Sequence, residues 1–160
     1  GDTGVSGIVG RGEGGPSGVT IAPGTQFWAQ TSGRQGQSSL GSSSANLSNR
    51  SYMQVWIPTA CTNTGRPAHA PDDVMVPSGC PNEDMARLSR SLVLQGGERP
   101  MVQVAVWAVA NDPPARALRG YLGEMVDASE GALTADDIMQ GAAELLLTAG
   151  LEPSDYRMFR

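Results

Sequence analysis

The chain has 160 residues, 39% of them hydrophobic, with 21 glycines and a formal charge of −5. All 11 basic residues are arginines, and they are scattered. That excludes a basic stripe for nucleic acid, and it leaves no lysine for a phosphate loop or a Schiff base.

No run of about 18 apolar residues is present, so no membrane span is expected. The length fits one domain with a sizeable core. Glycine and serine dominate the first part of the chain; leucine, alanine and methionine dominate the last. A chain beginning at Gly1 is what removal of a signal peptide would leave, so a secreted protein is expected.

Residues 1–18, GDTGVSGIVGRGEGGPSG, read as a flexible, glycine-rich arm carrying one short strand around Val5, Ile8 and Val9. Such a strand can add to a sheet edge, its own or a neighbour's. A loose terminus is the other reading. Residues 19–160 read as a single α+β domain. The segment GVTIAPGTQFWAQ, 18–30, predicts two short strands about a Pro23–Gly24 turn. The polar stretch 31–50 has no hydrophobic period and reads as a long loop. It contains two sequons, at Asn46 and Asn49, which are candidate glycosylation sites in a secreted protein; chance occurrence in so serine-rich a stretch is the other reading.

SYMQVWIPTAC, 51–61, alternates clearly. Tyr52, Gln54, Trp56 and Pro58 face one way; Met53, Val55 and Ile57 face the other. Turn-rich sequence follows, with a further short strand in DDVMVPSG. His69, the single histidine, sits in a polar proline-flanked turn with no triad signature around it. Cys61 and Cys80 are the two cysteines. In a Gly/Ser/Thr-rich chain they read as an extracellular disulfide, and two buried free thiols are the other reading. Closing that loop of about 20 residues would be worth roughly 3 kcal/mol.

After Cys80 the period becomes helical. Pro81 suits a first turn, with Glu83 and Asp84 near the positive end. Met85, Leu88 and Leu92 form the apolar stripe, and Gly96–Gly97 end the helix. A helix is expected after Pro114. The clearest helix follows Thr134, with Asp137 completing a capping box, an apolar stripe through Ile138, Ala142, Leu145, Leu146 and Ala149, and Gly150 past its end. The run PMVQVAVWAV, 100–109, has the length of either a buried helix or a buried strand.

Within that run, VQVAVW, Val102 to Trp107, resembles the Thr-Gln-x-Ala-Ile-Trp motif of bacterial thioester domains, found at the tips of surface adhesins. Upstream, VWIPTACTNTGRPAHAP resembles the strand that delivers that family's cysteine, followed by a proline-bearing turn. The similarity runs over roughly residues 20–112 and extends to related secreted bacterial domains. It implies that 102–107 lie on a core helix, with Gln103 and Trp107 as core motif residues.

The resemblance also implies a candidate chemistry. In the family a cysteine thiol condenses with a glutamine amide to form an internal thioester, which a target amine or hydroxyl then attacks. Cys61 would be the cysteine and Gln140, in MQGAAE, the glutamine. The chain departs from the family at Glu144, where the glutamine pattern needs an apolar residue, and at Ala60, where an aromatic or leucine precedes the cysteine. Cys80 is a further departure, since a disulfide to Cys61 would abolish the thioester.

The expectation is therefore an α+β fold, with a small β-sheet N-terminal half, 1–77, packed on three to four C-terminal helices, 81–149. The expected function is a non-enzymatic, secreted or cell-surface structural or interaction protein, such as an envelope, matrix or filament subunit, on a thioester-domain-like scaffold. Its partner would be a second copy or a cell-surface or matrix component. A covalent adhesin using Cys61 and Gln140 is one alternative, and a hydrolase of unrecognised type another. No catalytic residue, cofactor, metal site or nucleic-acid partner is expected: the acid pairs lack calcium-loop spacing and the glycine cluster precedes no helix.

Overall fold

The computed structural model describes residues 4–30, 33–68, 70, 72–78 and 82–160. Cys80, Pro81 and His69 lie outside the described residues. Among the described residues the order is seven strands and then four helices. The strands are β1 (Gly4–Gly10), β2 (Gly18–Ile21), β3 (Gln26–Ala29), β4 (Gln37–Ser39), β5 (Ser43–Asn46), β6 (Tyr52–Cys61) and β7 (Met75–Pro77). The helices are α1 (Glu83–Gln95), α2 (Arg99–Asn111), α3 (Ala115–Ala128) and α4 (Ala135–Thr148). Two short 3₁₀ turns, Pro153–Asp155 and Arg157–Phe159, close the chain. The fold is α+β, with antiparallel strands first and helices after them.

Five strands pair in the order β1-β6-β4-β3-β7, and β2 and β5 form a separate two-stranded ribbon. β6 organises the sheet. Its first part, Tyr52 to Pro58, pairs with β1, and its last part, Thr59 to Cys61, pairs with β4. The alternation expected along β6 is present: Val55 and Ile57 are buried, and Tyr52, Gln54, Trp56 and Pro58 are exposed. Val55 and Ile57 meet Phe27 and Ala45 in a small core between the sheet and the ribbon. The segment expected to be an arm is a strand over Gly4–Gly10, laid along β6 of its own chain in register Val5↔Ile57 and Val9↔Met53. Val9 packs against the small core while Ile8 is exposed.

The two strands expected around Pro23–Gly24 form, but they do not pair with each other: β2 joins β5, and β3 joins β4 and β7. Gly24 has φ +82°, and a Cβ there would sit 3.1 Å from the Ala86 backbone, so the turn is pressed against α1.

The stretch 31–50 departs from the loop reading, since β4 and β5 lie within it. No apolar period announces them, because the buried residues of β4 are polar: Gln37, Ser38 and Ser39 are fully buried. Each is satisfied. The Ser39 hydroxyl donates to the Ala22 carbonyl and accepts from Thr25 N, the Ser38 hydroxyl accepts from Gln26 Nε2, and Gln37 Oε1 accepts from the Thr59 hydroxyl. A polar strand can be buried when every group on it is bonded.

The helices share a second, larger core. α2 runs through its centre, with Val104, Ala105, Val106 and Ala108 fully buried, so the valine run is a helix. Met85, Leu88 and Leu92 of α1 and Ile138, Ala142 and Leu146 of α4 close on it. From the sheet, Ala60 on β6 joins this core. The end of β6 is thus where sheet and helices meet. Asn82 caps α1, its Oδ1 accepting from Met85 N at 2.6 Å. The Thr134–Asp137 capping box starts α4 as expected.

Candidate functional site

β6 delivers Cys61 to the seam between sheet and helices. Cys61 faces Gln37 on β4, the Cα partners in the ladder. Its own N–H and C=O point to the opposite edge of β6, beyond the last pair with β1 among the described residues, Gly4↔Pro58. Gln103, on α2, meets that edge at Cys61. Its Oε1 accepts from Cys61 N at 3.1 Å, and its Nε2 donates to the Cys61 carbonyl at 2.6 Å. A side-chain amide thereby stands in for the next strand.

The Cys61 sulfur has an amide beside it. Gln37 Nε2 donates to Cys61 Sγ at 3.4 Å, while Gln37 Oε1 is held by the Thr59 hydroxyl at 2.5 Å. Among the described residues Cys61 is joined to no other cysteine. Burial pushes its pKa up, and the Gln37 hydrogen bond and the Arg99 charge lower it in part. A neutral thiol is a poor nucleophile.

Cys61 also lines a cleft of about 1170 Å³. One wall comes from the sheet side: Gln35, Cys61 and the loop Gly65 to Ala68. The other comes from the first turns of α2, from Gln103 and Trp107 further along it, and from α3 with the connection to α4. Trp107 stacks at a tilt on Tyr121 of α3, with ring centroids 5.1 Å apart. The Tyr121 hydroxyl accepts from Gly65 N at 2.7 Å and pins the loop to the helices. Gln35 Nε2 holds the same loop from the sheet side through the Arg66 carbonyl, at 2.7 Å. Arg66 and Arg99 line the cleft together with Glu98 and Glu124, so the charges of its described lining residues balance.

The residues singled out in the sequence are only partly brought together. Cys61, Gln103 and Trp107 share the cleft. Gln140 does not line it. It is exposed on α4 with its amide bonded to Glu144 at 3.0 Å, and the glutamine amide beside the Cys61 sulfur is that of Gln37. The disulfide partner Cys80 lies outside the described residues. Val5, Ile8 and Val9 sit on β1, in the outermost strand of the sheet. Asn46 and Asn49 are both exposed, Asn46 at the end of β5 with its Oδ1 accepting from Ser48 N.

Gln35, Gln37 and Tyr121 escaped the sequence reading. A usable signal was present in RQGQSS, since amides at i and i+2 share one face of a strand. It was hidden by the absence of apolar neighbours. Among the described residues no group of three or more His, Cys, Asp or Glu side chains is placed to hold a metal ion, and no helix is long and apolar enough to cross a membrane. Comparison of the chain with protein-family models, with curated proteins and with solved structures finds no match.

Proposed function

We propose that this chain is a secreted or cell-surface, non-enzymatic interaction protein on a thioester-domain-like scaffold, and that it engages its partner through the cleft beside Cys61. The cleft carries the proposal. It is large, its walls include Trp107, Tyr121, Met125 and Leu133, and burial raises the pKa of the Cys61 thiol that lines it. Binding sites have this form: apolar walls with a few placed polar groups. The lysine-free, glycine- and serine-rich composition supports the extracellular location.

The test is retention of the purified chain on whole cells of the species that encodes it. Wild type is compared with Ala128→Trp, which fills the cleft from the exposed α3 wall. Saturable retention of wild type, lost in a variant of matching melting temperature, supports the reading. Equal retention of both, or none for wild type, overturns it.

A second reading is a covalent adhesin, and the 3.4 Å approach of Gln37 Nε2 to Cys61 Sγ favours it. The thiol would attack the Gln37 carboxamide carbon, forming the S–C bond and releasing ammonia, which takes up the thiol proton. Gln37 replaces Gln140 in this reading. Intact mass separates the states. A thioester lowers the mass by one ammonia, a Cys61–Cys80 disulfide lowers it by two hydrogens and is reversed by reductant, and free thiols leave it unchanged.

A further inference from the structure

Among the described residues, two buried side-chain polar atoms lack a hydrogen-bond partner, Trp107 Nε1 and Gln35 Oε1. Both residues line the same cleft. Trp107 is 3% exposed and Gln35 is 6% exposed, so bulk water does not satisfy them. Buried polar groups are nearly always paired, and an unpaired one raises the question of what completes it. Here the two are of opposite sense: the indole N–H is a donor and the glutamine oxygen an acceptor.

We infer that the cleft receives an uncharged peptide segment with apolar side chains, one of whose amides accepts from Trp107 Nε1–H and donates to Gln35 Oε1. This rests on the cleft being the interaction site proposed above. A peptide amide offers both senses in one rigid plane. Tyr121, Met125 and Leu133 line the same cleft and suit flanking apolar side chains. Among the described lining residues Arg66 and Arg99 are offset by Glu98 and Glu124, which favours an uncharged guest. The volume of about 1170 Å³ exceeds that of most small-molecule pockets, about 300–1,000 Å³, and accommodates more than one residue. The inference requires the cleft wall to yield to the guest, because both atoms are buried in the unliganded structure.

The experiment follows the indole N–H resonances of the ¹⁵N-labelled full chain. Its three tryptophans give three signals, and Trp107→Phe assigns that of Trp107. The probes are N-acetyl-Leu-Leu-amide and its ester analogue, in which the internal N–H is replaced by oxygen. The expected result is a saturable downfield shift of the Trp107 indole proton with the amide, and roughly 10-fold weaker binding of the ester, the cost of one unmade hydrogen bond.

Gln35→Met is expected to weaken amide binding by a similar factor and to erase the difference between amide and ester. The comparison of amide with ester in wild type needs no variant, so it stands even if Gln35→Met disturbs the loop. An unmoved Trp107 signal, equal affinity for amide and ester, or a shift that depends on protein concentration alone, as a second copy would give, overturns the inference. Cell retention through the cleft without amide binding would defeat this inference and leave the proposed function standing; loss of retention would defeat the function itself.

Discussion

Gln103 closes the edge of β6 at Cys61: its Oε1 accepts from the Cys61 N–H and its Nε2 donates to the Cys61 carbonyl. Among the described residues β1 covers β6 as far as Pro58 and β4 takes the other edge, so no described strand meets the Cys61 backbone on this side. The amide is positioned from the core outward, because Val102, Val104, Val106 and Trp107 bury the rest of α2. Gln103→Leu leaves two backbone groups unpaired in a half-buried seam, and the expected loss is about 2–3 kcal/mol. Gln103→Glu keeps the acceptor and loses the donor, and is expected to fall between. Urea unfolding of the three proteins checks the order. A loss under about 0.5 kcal/mol for Gln103→Leu, within the range of ordinary surface changes, would remove the structural role.

The Cys61 thiol should react slowly. Burial raises its pKa, the Gln37 and Arg99 contributions offsetting this only in part, so the thiolate fraction at neutral pH is lower than for an exposed cysteine. Iodoacetamide alkylation of Cys61 in the Cys80→Ser protein is expected to lag a model thiol and to keep rising with pH beyond the point where the model levels off. The sign for stability follows. A pKa raised in the folded state gives stabilisation that is full below the unfolded thiol pKa and lost as pH rises through the folded value. Cys61→Ala should therefore flatten the alkaline side of the stability profile. Fast alkylation at neutral pH would contradict this and point to an activated nucleophile.

What the sequence disclosed follows from where side-chain pattern and backbone demand coincide. β6 alternates because one face is buried and the other is not, so its limits and faces are legible. α4 announces itself through Thr134, Asp137 and Gly150, each of which performs the backbone task its residue type suggests. β4 was illegible because Gln37, Ser38 and Ser39 are buried by hydrogen bonding and not by apolar area, and periodicity registers only the latter. The cleft was half legible. Cys61, Gln103 and Trp107 stood out by motif, but Gln35, Gln37 and Tyr121 come from segments whose approach is a tertiary fact. The cap of α1 went unread: Asn82 supplies the capping oxygen, next to the proline that marks the helix start in the sequence.

The capping box of α4 predicts an acid-sensitive helix start. Thr134 N and its hydroxyl both donate to Asp137 Oδ2, which lowers the Asp137 pKa. A depressed carboxyl pKa contributes stability that is present above its unfolded value and lost as pH falls through the folded one. Amide exchange in the first turn of α4 is thus expected to quicken below the usual carboxylate range, ahead of the helix centre. Thr134→Ala should cost about 1 kcal/mol at neutral pH. If Asp137→Asn leaves the acid limb of exchange unchanged, the box does not govern it.

The pairing of β1 along β6 in its own chain changes what the N-terminal segment is expected to do. Seven residue pairs run from Gly4↔Pro58 to Gly10↔Tyr52, and Val9 reaches the small core. Removing residues 1–10 would bare the β6 edge from Tyr52 to Pro58 beside exposed Tyr52 and Trp56, and an unpaired edge with apolar side chains recruits other strands. The truncated chain is expected to unfold at lower temperature and to self-associate in size-exclusion chromatography. A synthetic peptide GDTGVSGIVGRGEGGPSG, residues 1–18 supplied in trans, should restore both properties by adding the missing strand. The same peptide with Val5 and Val9 changed to Asp should not, because its inward positions would place charge against Ile57 and Met53. Restoration by wild-type peptide alone would show that this strand can be exchanged between copies, the step a filament or matrix subunit requires. A truncated chain that stays monomeric with unchanged stability would exclude that route to assembly.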